Sequence, residues 1–202
     1  MAAEEPSELM RRYAAGDDSA FEPLYRALAP PLRRFCLRLA TFPSDASDVF
    51  QETFMRIHRA RGTFVERSQP LHWAYAIARS VYIDRLRYRR RRPERLGPAQ
   101  DASETDRRSE SDDPEATLGA RDAQTVVQRE LARMSETNRV AYILIREEEL
   151  SVKDAAAILG LTEDAVKKRA HRAYVQLRAA LGAAGWRPEG RGDSWDFISA
   201  GA

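Results

Sequence analysis

The sequence predicts an all-α protein made of two small helical domains that a flexible acidic linker joins. Apolar residues recur at spacings of three and four, and the apolar/polar alternation typical of strands is absent. Residues 93–116 are rich in Pro, Ser, Asp and Glu and nearly free of large apolar side chains, so they cannot bury enough surface to offset their ordering entropy. We therefore expect domains at residues 9–92 and 125–182, a linker at 93–124 and a disordered tail at 183–202.

The first domain contains a series of predicted helices, which span residues 10–14, 20–28, 32–40, 45–61 and 71–92. Pro30 and Pro31 predict a break between the second and third helices, because proline lacks the N–H that a helix interior uses. Pro93 predicts the end of the last helix.

The second domain contains helices predicted at residues 125–134, 138–146, 152–159 and 163–181. Ser135, Ser151 and Thr162 are predicted N-caps, since their side-chain oxygens can accept hydrogen bonds from the N–H groups of a first helical turn.

Composition excludes several classes of protein. The 202 residues are 43% hydrophobic and 32% charged, which suits a globular fold, and no apolar run reaches the roughly 20 residues of a membrane span. One cysteine, Cys36, and three scattered histidines predict neither a disulfide framework nor a metal or cofactor site. No clustered carboxylates or phosphate-binding loop indicate catalysis. We expect a cytoplasmic protein that is not an enzyme and does not insert into a membrane.

The net charge of +2 is the sum of three segments whose net charges differ in sign and size. Residues 1–96 carry +6, residues 97–125 carry −5 and residues 126–202 carry +1. Nearly all the basic residues are arginines, whose planar fork suits phosphates and base edges. A GC-rich genome would give the same excess, so only position can assign a role to each arginine.

The most specific motif lies in residues 152–173. Ala156, Gly160 and Val166 have the order and spacing of a helix-turn-helix, which needs a small residue at the helix crossing, a glycine in the turn and a branched apolar residue inside the second helix. That second helix would present Lys167, Lys168, His171 and Arg172 to a DNA major groove. The alternative is a plain helical hairpin with a solvated basic face.

The predicted helix at residues 45–61 has two faces. Its apolar face holds Val49, Phe50, Thr53, Phe54 and Ile57, and its polar stripe holds Asp48, Gln51, Glu52 and Met55. An acidic stripe around an exposed methionine suits docking against a basic helical partner. The alternative for Asp45 and Asp48 is that they only complement the helix dipole.

The long predicted helix that ends at Arg92 interleaves aromatic rings with arginines. Trp73, Ile77 and Val81 form its predicted core stripe, and the residues partly outside that stripe are Tyr75, Arg79, Tyr82, Arg85 and Tyr88. Rings that stack on bases beside guanidinium groups that follow phosphates suit single-stranded nucleic acid. The alternative is that the tyrosines are half-buried packing residues.

Four segments in order give a family resemblance over about residues 10–180: AAGDDSAFEPLYRALAPPLRRF, DASDVFQETFMRIHRA, WAYAIARSVYIDRLRYRRRR and, after the acidic linker, LARMSETNRVAYILIREEELSVKDAAAILGLTEDAVKKRAHRAYVQLRAAL. The chain resembles an extracytoplasmic-function sigma factor. The resemblance implies a bacterial promoter-recognition subunit of RNA polymerase, with a helical region 2 and a helix-turn-helix region 4. It also implies an anti-sigma factor as a partner.

The resemblance assigns residues to each partner. The core polymerase-binding residues would be Asp48, Gln51, Glu52 and Phe54. Residues 63–70 would capture a flipped base, and the residues for the single-stranded −10 region would be Arg67, Trp73, Tyr75, Arg79, Ser80, Asp84, Arg85 and Arg87. The residues for the duplex −35 element would be Thr162, Lys167, Lys168, Arg169, His171 and Arg172.

Some positions depart from the family pattern. Ser80 stands where the family usually has asparagine, and Pro70 where it usually has an aromatic residue, so the promoter sequence cannot be transferred from relatives. Ser47 replaces a common acid, and Ser135 replaces a common proline. The alternative function is a helix-turn-helix regulator that does not join core polymerase, but such a regulator has no reason to carry the Asp48–Phe54 pattern.

Overall fold

The computed structural model describes residues 4–40, 43–65, 68–91 and 114–186, and every regular element in this part of the chain is helical. The chain divides into two compact units, Met1–Ser103 and Glu104–Ala202. The predicted class, an all-α protein with two helical domains, is confirmed. The predicted linker as far as residue 113 and the tail from residue 187 lie outside the described residues.

The first unit is a bundle whose described helices are α1 (Pro6–Ala14), α2 (Phe21–Leu39), α3 (Pro43–Ala60) and α4 (Pro70–Arg91). Short 3₁₀ turns at Asp18–Ala20 and Arg61–Thr63 follow α1 and α3. Helices α2, α3 and α4 pack against one another, and α1 packs on α2. This arrangement places α3 and α4 side by side with their outer faces open to solvent.

Helix α2 corrects the predicted break at Pro30 and Pro31, because it runs through both prolines without interruption. Each proline removes one backbone hydrogen bond from the helix. One continuous helix, however, buries a full apolar stripe, which consists of Leu24, Leu28, Leu32, Phe35, Cys36 and Leu39. Burial of that stripe outweighs the lost hydrogen bonds, since each large apolar side chain contributes about 1.5–3 kcal/mol.

The second unit contains α5 (Pro114–Arg133), α6 (Glu136–Tyr142), α7 (Val152–Leu159) and α8 (Glu163–Ala183). Helix α8 packs against α5, α6 and α7, and Leu131, Met134, Ala173 and Leu177 form a buried cluster between α5 and α8. One side of α8 therefore belongs to the core, and the opposite side remains at the surface.

Three sequence-based expectations for the second unit need correction. Helix α5 begins at Pro114 rather than at residue 125, so residues 114–124 of the predicted linker are helical. Proline suits a first helical position, and the Ala, Leu and Glu residues that follow favour a helix. The helix predicted to end at residue 146 changes at Ile143 into a π-helical turn, Ile143–Glu147. Ser135 precedes α6, but its side chain makes no capping hydrogen bond.

Within the described residues, none of the helices combines the length and the apolar character that a membrane crossing requires.

Candidate protein-binding and nucleic-acid interfaces

The outer face of α3 is the first candidate interface. Asp48, Gln51, Glu52 and Met55 line one wall of an open groove of about 710 Å³ between α3 and α4. Met55 is 45% exposed, whereas Val49, Thr53 and Ile57 on the opposite side of α3 are fully buried. The two predicted faces of this helix are therefore observed, and we call the four groove residues the α3 docking face.

Arginines of α4 reach across the groove to the carboxylates of α3. Arg85 Nη2 donates to Asp48 Oδ2 at 2.6 Å and to Asp45 Oδ1 at 3.4 Å. Arg89 Nη2 also donates to Asp45 Oδ1. Asp45 is only 3% exposed, and these two guanidinium groups compensate the cost of burying its charge. Asp45 therefore joins α3 to α4 through these two ion pairs. This contact is additional to the interaction with the helix dipole that the sequence indicates.

A second bridge lies farther along the same groove. Arg56 Nε donates to Glu52 Oε1 at 3.2 Å, and Arg56 Nη1 donates to Asp84 Oδ2 at 2.9 Å. Partial burial alone would lower the pKa of Arg56, but the hydrogen bonds and the charges of Asp84 and Glu52 outweigh it and raise the pKa. Arg56 is therefore a fixed cation that ties the α3 docking face to Asp84 of α4.

Phe54 does not belong to the exposed part of this interface. It is 8% exposed, and its ring centroid lies 4.6 Å from that of Tyr25 and 5.1 Å from that of Phe50. The aromatic cluster holds α3 in place beneath the docking face, and the part of Phe54 in polymerase binding stays a prediction.

The exposed face of α4 is the second candidate interface, and it differs from the predicted one in its aromatic residues. Tyr75 is 1% exposed, and its ring centroid lies 4.5 Å from that of Phe35, so Tyr75 is a core residue and cannot stack on a base. Tyr82 is equally buried. Ala74 and Ala78 are buried beside them, and such small residues let the backbone approach its neighbours closely enough for the tyrosines to fill the core.

Of the predicted core stripe, Val81 is fully buried, whereas Trp73 and Ile77 lie at the edge of the core. Both residues are half-buried, and Trp73 makes an edge-to-face contact with Phe64 at a centroid distance of 5.4 Å. Trp73 remains accessible at the start of α4.

The polar residues expected on the α4 surface lie at or near it. Ser80, Asp84, Arg87 and Tyr88 are exposed, and Arg79 and Arg85 are half-buried. Arg67 lies outside the described residues. The surface is therefore polar and mixed in charge, with Trp73 at one end and Tyr88 near the other.

The turn between α7 and α8 has the geometry that the sequence predicts. Gly160 adopts φ +63° and ψ +41°, and the N–H of Leu161 donates to the carbonyl of Ala156 at 3.0 Å. This is the Schellman arrangement that ends a helix with a left-handed glycine. Ser151 and Thr162 cap α7 and α8 by accepting from the N–H groups of Asp154 and Ala165 at 3.1 and 3.3 Å. Val166 is fully buried at the crossing.

The outward side of α8 is basic. Lys168, His171 and Arg172 are exposed, and Lys167 and Arg169 are half-buried. Lys168 Nζ lies 3.5 Å from Asp164 Oδ2 in an exposed ion pair, which is weak in water. The five side chains start from the N-terminal half of a capped helix, the position from which a helix-turn-helix reads a major groove.

Within the described residues, no group of three or more His, Cys, Asp and Glu side chains is placed to hold a metal ion. Three residues of these candidate interfaces that the sequence does not assign to them are Asp45, Arg56 and Arg89, which complete the ion-pair bridges between α3 and α4. Only the relative register of the two helices identifies these three.

Two family models match the chain: sigma-70 region 2 over residues 24–92, and sigma-70 region 4 over residues 124–177. The RNA polymerase sigma factor CarQ of Myxococcus xanthus is 28% identical over 86% of this chain and 95% of its own length. The ECF RNA polymerase sigma factor SigF of Caulobacter vibrioides is 30% identical over 84% of this chain and 89% of its own length.

A solved structure is also similar. It contains the sigma factor RpoE in complex with the anti-sigma factor NepR from Bartonella quintana. The match has 29% sequence identity and a TM-score of 0.64, and it covers 80% of this chain and 96% of that one.

Proposed function

The chain belongs to the extracytoplasmic-function sigma factors of the sigma-70 family, and we propose that it binds core RNA polymerase, recognises −35 and −10 promoter elements and promotes strand opening. The observation that carries the proposal is the α3 docking face, which combines exposed acidic and amide groups with an exposed methionine above an aromatic core. A helix-turn-helix regulator acting alone has no use for such a face.

Residues 9–92 serve as the polymerase-binding and −10 module. Asp48, Gln51 and Glu52 offer carboxylate and amide oxygens to a basic helical partner, and Met55 offers a polarizable apolar contact among them. The ring of Phe54 holds α3 in place from below. These groups contribute to orientation and association rate as well as to affinity, because charged groups near the rim of an interface steer the encounter.

Residues 125–182 serve as the −35 module. With α8 in the major groove, Lys167, Lys168, Arg169, His171 and Arg172 contact phosphates and base edges, and Thr162 fixes the N-terminus of the helix. Arginine and lysine pair most readily with the O6 and N7 acceptors of guanine, so these side chains favour guanine in the element.

The −10 element meets the exposed side of α4 and residues 63–70. Extruding a base from the duplex costs a few kcal/mol, which stacking and pocket contacts offset. Trp73 is the accessible aromatic candidate for such stacking, whereas Tyr75 is excluded by its burial. Arg79, Ser80, Asp84, Arg85 and Arg87 supply the polar contacts to the opened strand.

An anti-sigma factor is a further proposed partner, supported by the complex in which the Bartonella quintana relative was solved. The groove between α3 and α4 offers such a protein both charged walls and exposed apolar contacts at Met55 and Tyr88.

The proposal is tested by equilibrium binding of the full chain to purified core RNA polymerase. The double variant Gln51→Ala, Glu52→Lys should lose most of the affinity, because it removes an amide and reverses a charge on the docking face. It should leave binding of region 4 to duplex DNA unchanged. The matched control is Glu22→Lys, which reverses a charge in an exposed pair with Arg26 on α2. Equal affinity of the double variant and the control would contradict the assignment and favour the plain regulator.

A further inference from the structure

We propose that Arg85 is shared between the two partners of the first unit: Asp48 holds it in the free chain, and it transfers to a DNA phosphate when polymerase occupies Asp48. This inference rests on the proposed function and adds an energetic coupling between the polymerase site and the −10 site. Asp48 belongs to the α3 docking face, and Arg85 belongs to the DNA-facing surface of α4.

The pair has the geometry of a contact that can open. Its 2.6 Å hydrogen bond joins the side chain of Asp48, which is 55% exposed, to the side chain of Arg85, which is 36% exposed, so solvent reaches both side chains. The Nε of Arg85 is buried and donates to no acceptor among the described residues. The intramolecular contact therefore uses only part of the donor capacity of the guanidinium, which can hold five hydrogen bonds.

The packing of α3 on α4 does not depend on this pair. Asp45 also accepts from Arg85, but at 3.4 Å, and it keeps Arg89 as a second partner if Arg85 leaves. The parallel bridge from Glu52 through Arg56 to Asp84 remains in place as well. Arg85 can therefore move without leaving a buried carboxylate unpaired.

Each group of the pair is attractive to a different ligand. A basic side chain of polymerase competes with Arg85 for Asp48, and a DNA phosphate competes with Asp48 for Arg85. When one ligand opens the pair, the group that the other ligand needs becomes available. Binding of either partner should therefore strengthen binding of the other by the same factor, as linkage requires.

The first test measures single-stranded DNA binding by the free, full-length chain with a fluorescent 20-nucleotide DNA of random sequence. Asp48→Asn keeps the shape of the side chain and removes its charge. We expect affinity to rise roughly two- to fivefold, the factor that one exposed ion pair corresponds to. The salt dependence, as the slope of log K against log salt, should steepen by about 0.7, which corresponds to one added phosphate contact on a single strand.

The matched control is Glu22→Gln, which removes the same charge from an exposed ion pair with Arg26. It should change DNA affinity less than Asp48→Asn does, and the gain from Asp48→Asn should vanish when Arg85→Gln is already present. Equal gains for Asp48→Asn and Glu22→Gln, or a gain that persists with Arg85→Gln, would overturn the sharing of Arg85. Thermal unfolding checks that each variant is folded.

The second test uses core polymerase without DNA. Arg85→Gln should bind core more tightly than the wild-type chain by a similar two- to fivefold factor, because Asp48 no longer has an internal competitor. Unchanged or weaker binding of this variant would overturn the proposal. Failure of the wild-type chain to bind core at all would instead refute the proposed function, and the DNA assay on the free chain would still decide whether Asp48 restrains Arg85.

Discussion

Cys36 lies on the buried face of α2 and is 1% exposed. Burial raises the pKa of its thiol to about 12, against a smaller lowering by the charge of Arg33. The side chain is therefore a neutral packing group at physiological pH, which agrees with its position in an apolar stripe. Thiolate chemistry is not available to it in the folded chain, since the thiolate is the reactive form of cysteine.

We predict that Cys36 reacts with Ellman's reagent at pH 8 only after unfolding, and rapid labelling of the folded chain would contradict its burial.

The raised pKa of the Cys36 thiol also makes the free energy of unfolding depend on pH. The unfolded thiol ionises at about 8.5, so the contribution of Cys36 is fully present below that pH and is lost as pH rises towards 12. Cys36→Ala should flatten the alkaline decline in the free energy of unfolding.

Tyr75 is a buried ring of the first unit, packed against Phe35. Tyr75→Ala should lower the free energy of unfolding by about 3–5 kcal/mol, because it removes a large core ring that packs on Phe35. Tyr75→Phe should cost far less and leave DNA binding unchanged. The measurements are chemical denaturation and DNA affinity. If the Tyr75→Phe variant is folded but loses DNA binding, Tyr75 contributes to the DNA interface and its assignment as a core residue alone is wrong.

At the scale of single elements, the turn between α7 and α8 depends on one backbone conformation. A Cβ added at Gly160 would meet nothing within 4 Å, so the cost of a side chain there comes from its φ of +63° alone. The left-handed conformation disfavours every residue with a Cβ.

We therefore predict that Gly160→Ala destabilises the second unit by about 1–2 kcal/mol, measured by thermal unfolding. Gly182→Ala is the matched control, because Gly182 lies inside α8 with equal free space but without a positive φ. Because Gly182 lies in the last turn of α8, this change should stabilise the chain by less than the roughly 0.5–1 kcal/mol that alanine gains in a helix interior. Effects of the same sign at both positions would show that the turn does not require its observed geometry.

The elements also differ in how far local sequence determines them. Helices α7 and α8 were predictable because their caps, their glycine and their apolar spacing all agree. Helix α2 was not, since the rule that proline breaks a helix is local, whereas the burial that overrides it involves α3 and α4. The buried face of α4 differs from the predicted one for the same reason. Ala74 and Ala78 are buried because neighbouring helices pack closely against them, and that packing is not visible in the local sequence.

At the scale of the whole molecule, the net charge of +2 separates into surfaces with different roles. The first unit places acidic groups of α3 and arginines of α4 around one groove, and the second unit presents a cluster of basic residues on the outward side of α8. The residue types of these surfaces were predictable from the sequence. The ion pairs that connect Asp45, Asp48 and Arg56 of α3 to α4 were not, because they depend on the register of two helices and join residues 28 to 44 positions apart in the chain.

Run-off transcription with purified chain, core polymerase and genomic promoter fragments tests whether the chain directs core RNA polymerase to promoters. We predict defined transcripts from a subset of fragments that core polymerase alone does not produce, and their loss with the Gln51→Ala, Glu52→Lys variant. Absence of initiation from every fragment, with a core polymerase that is active with another sigma factor, would contradict the claim.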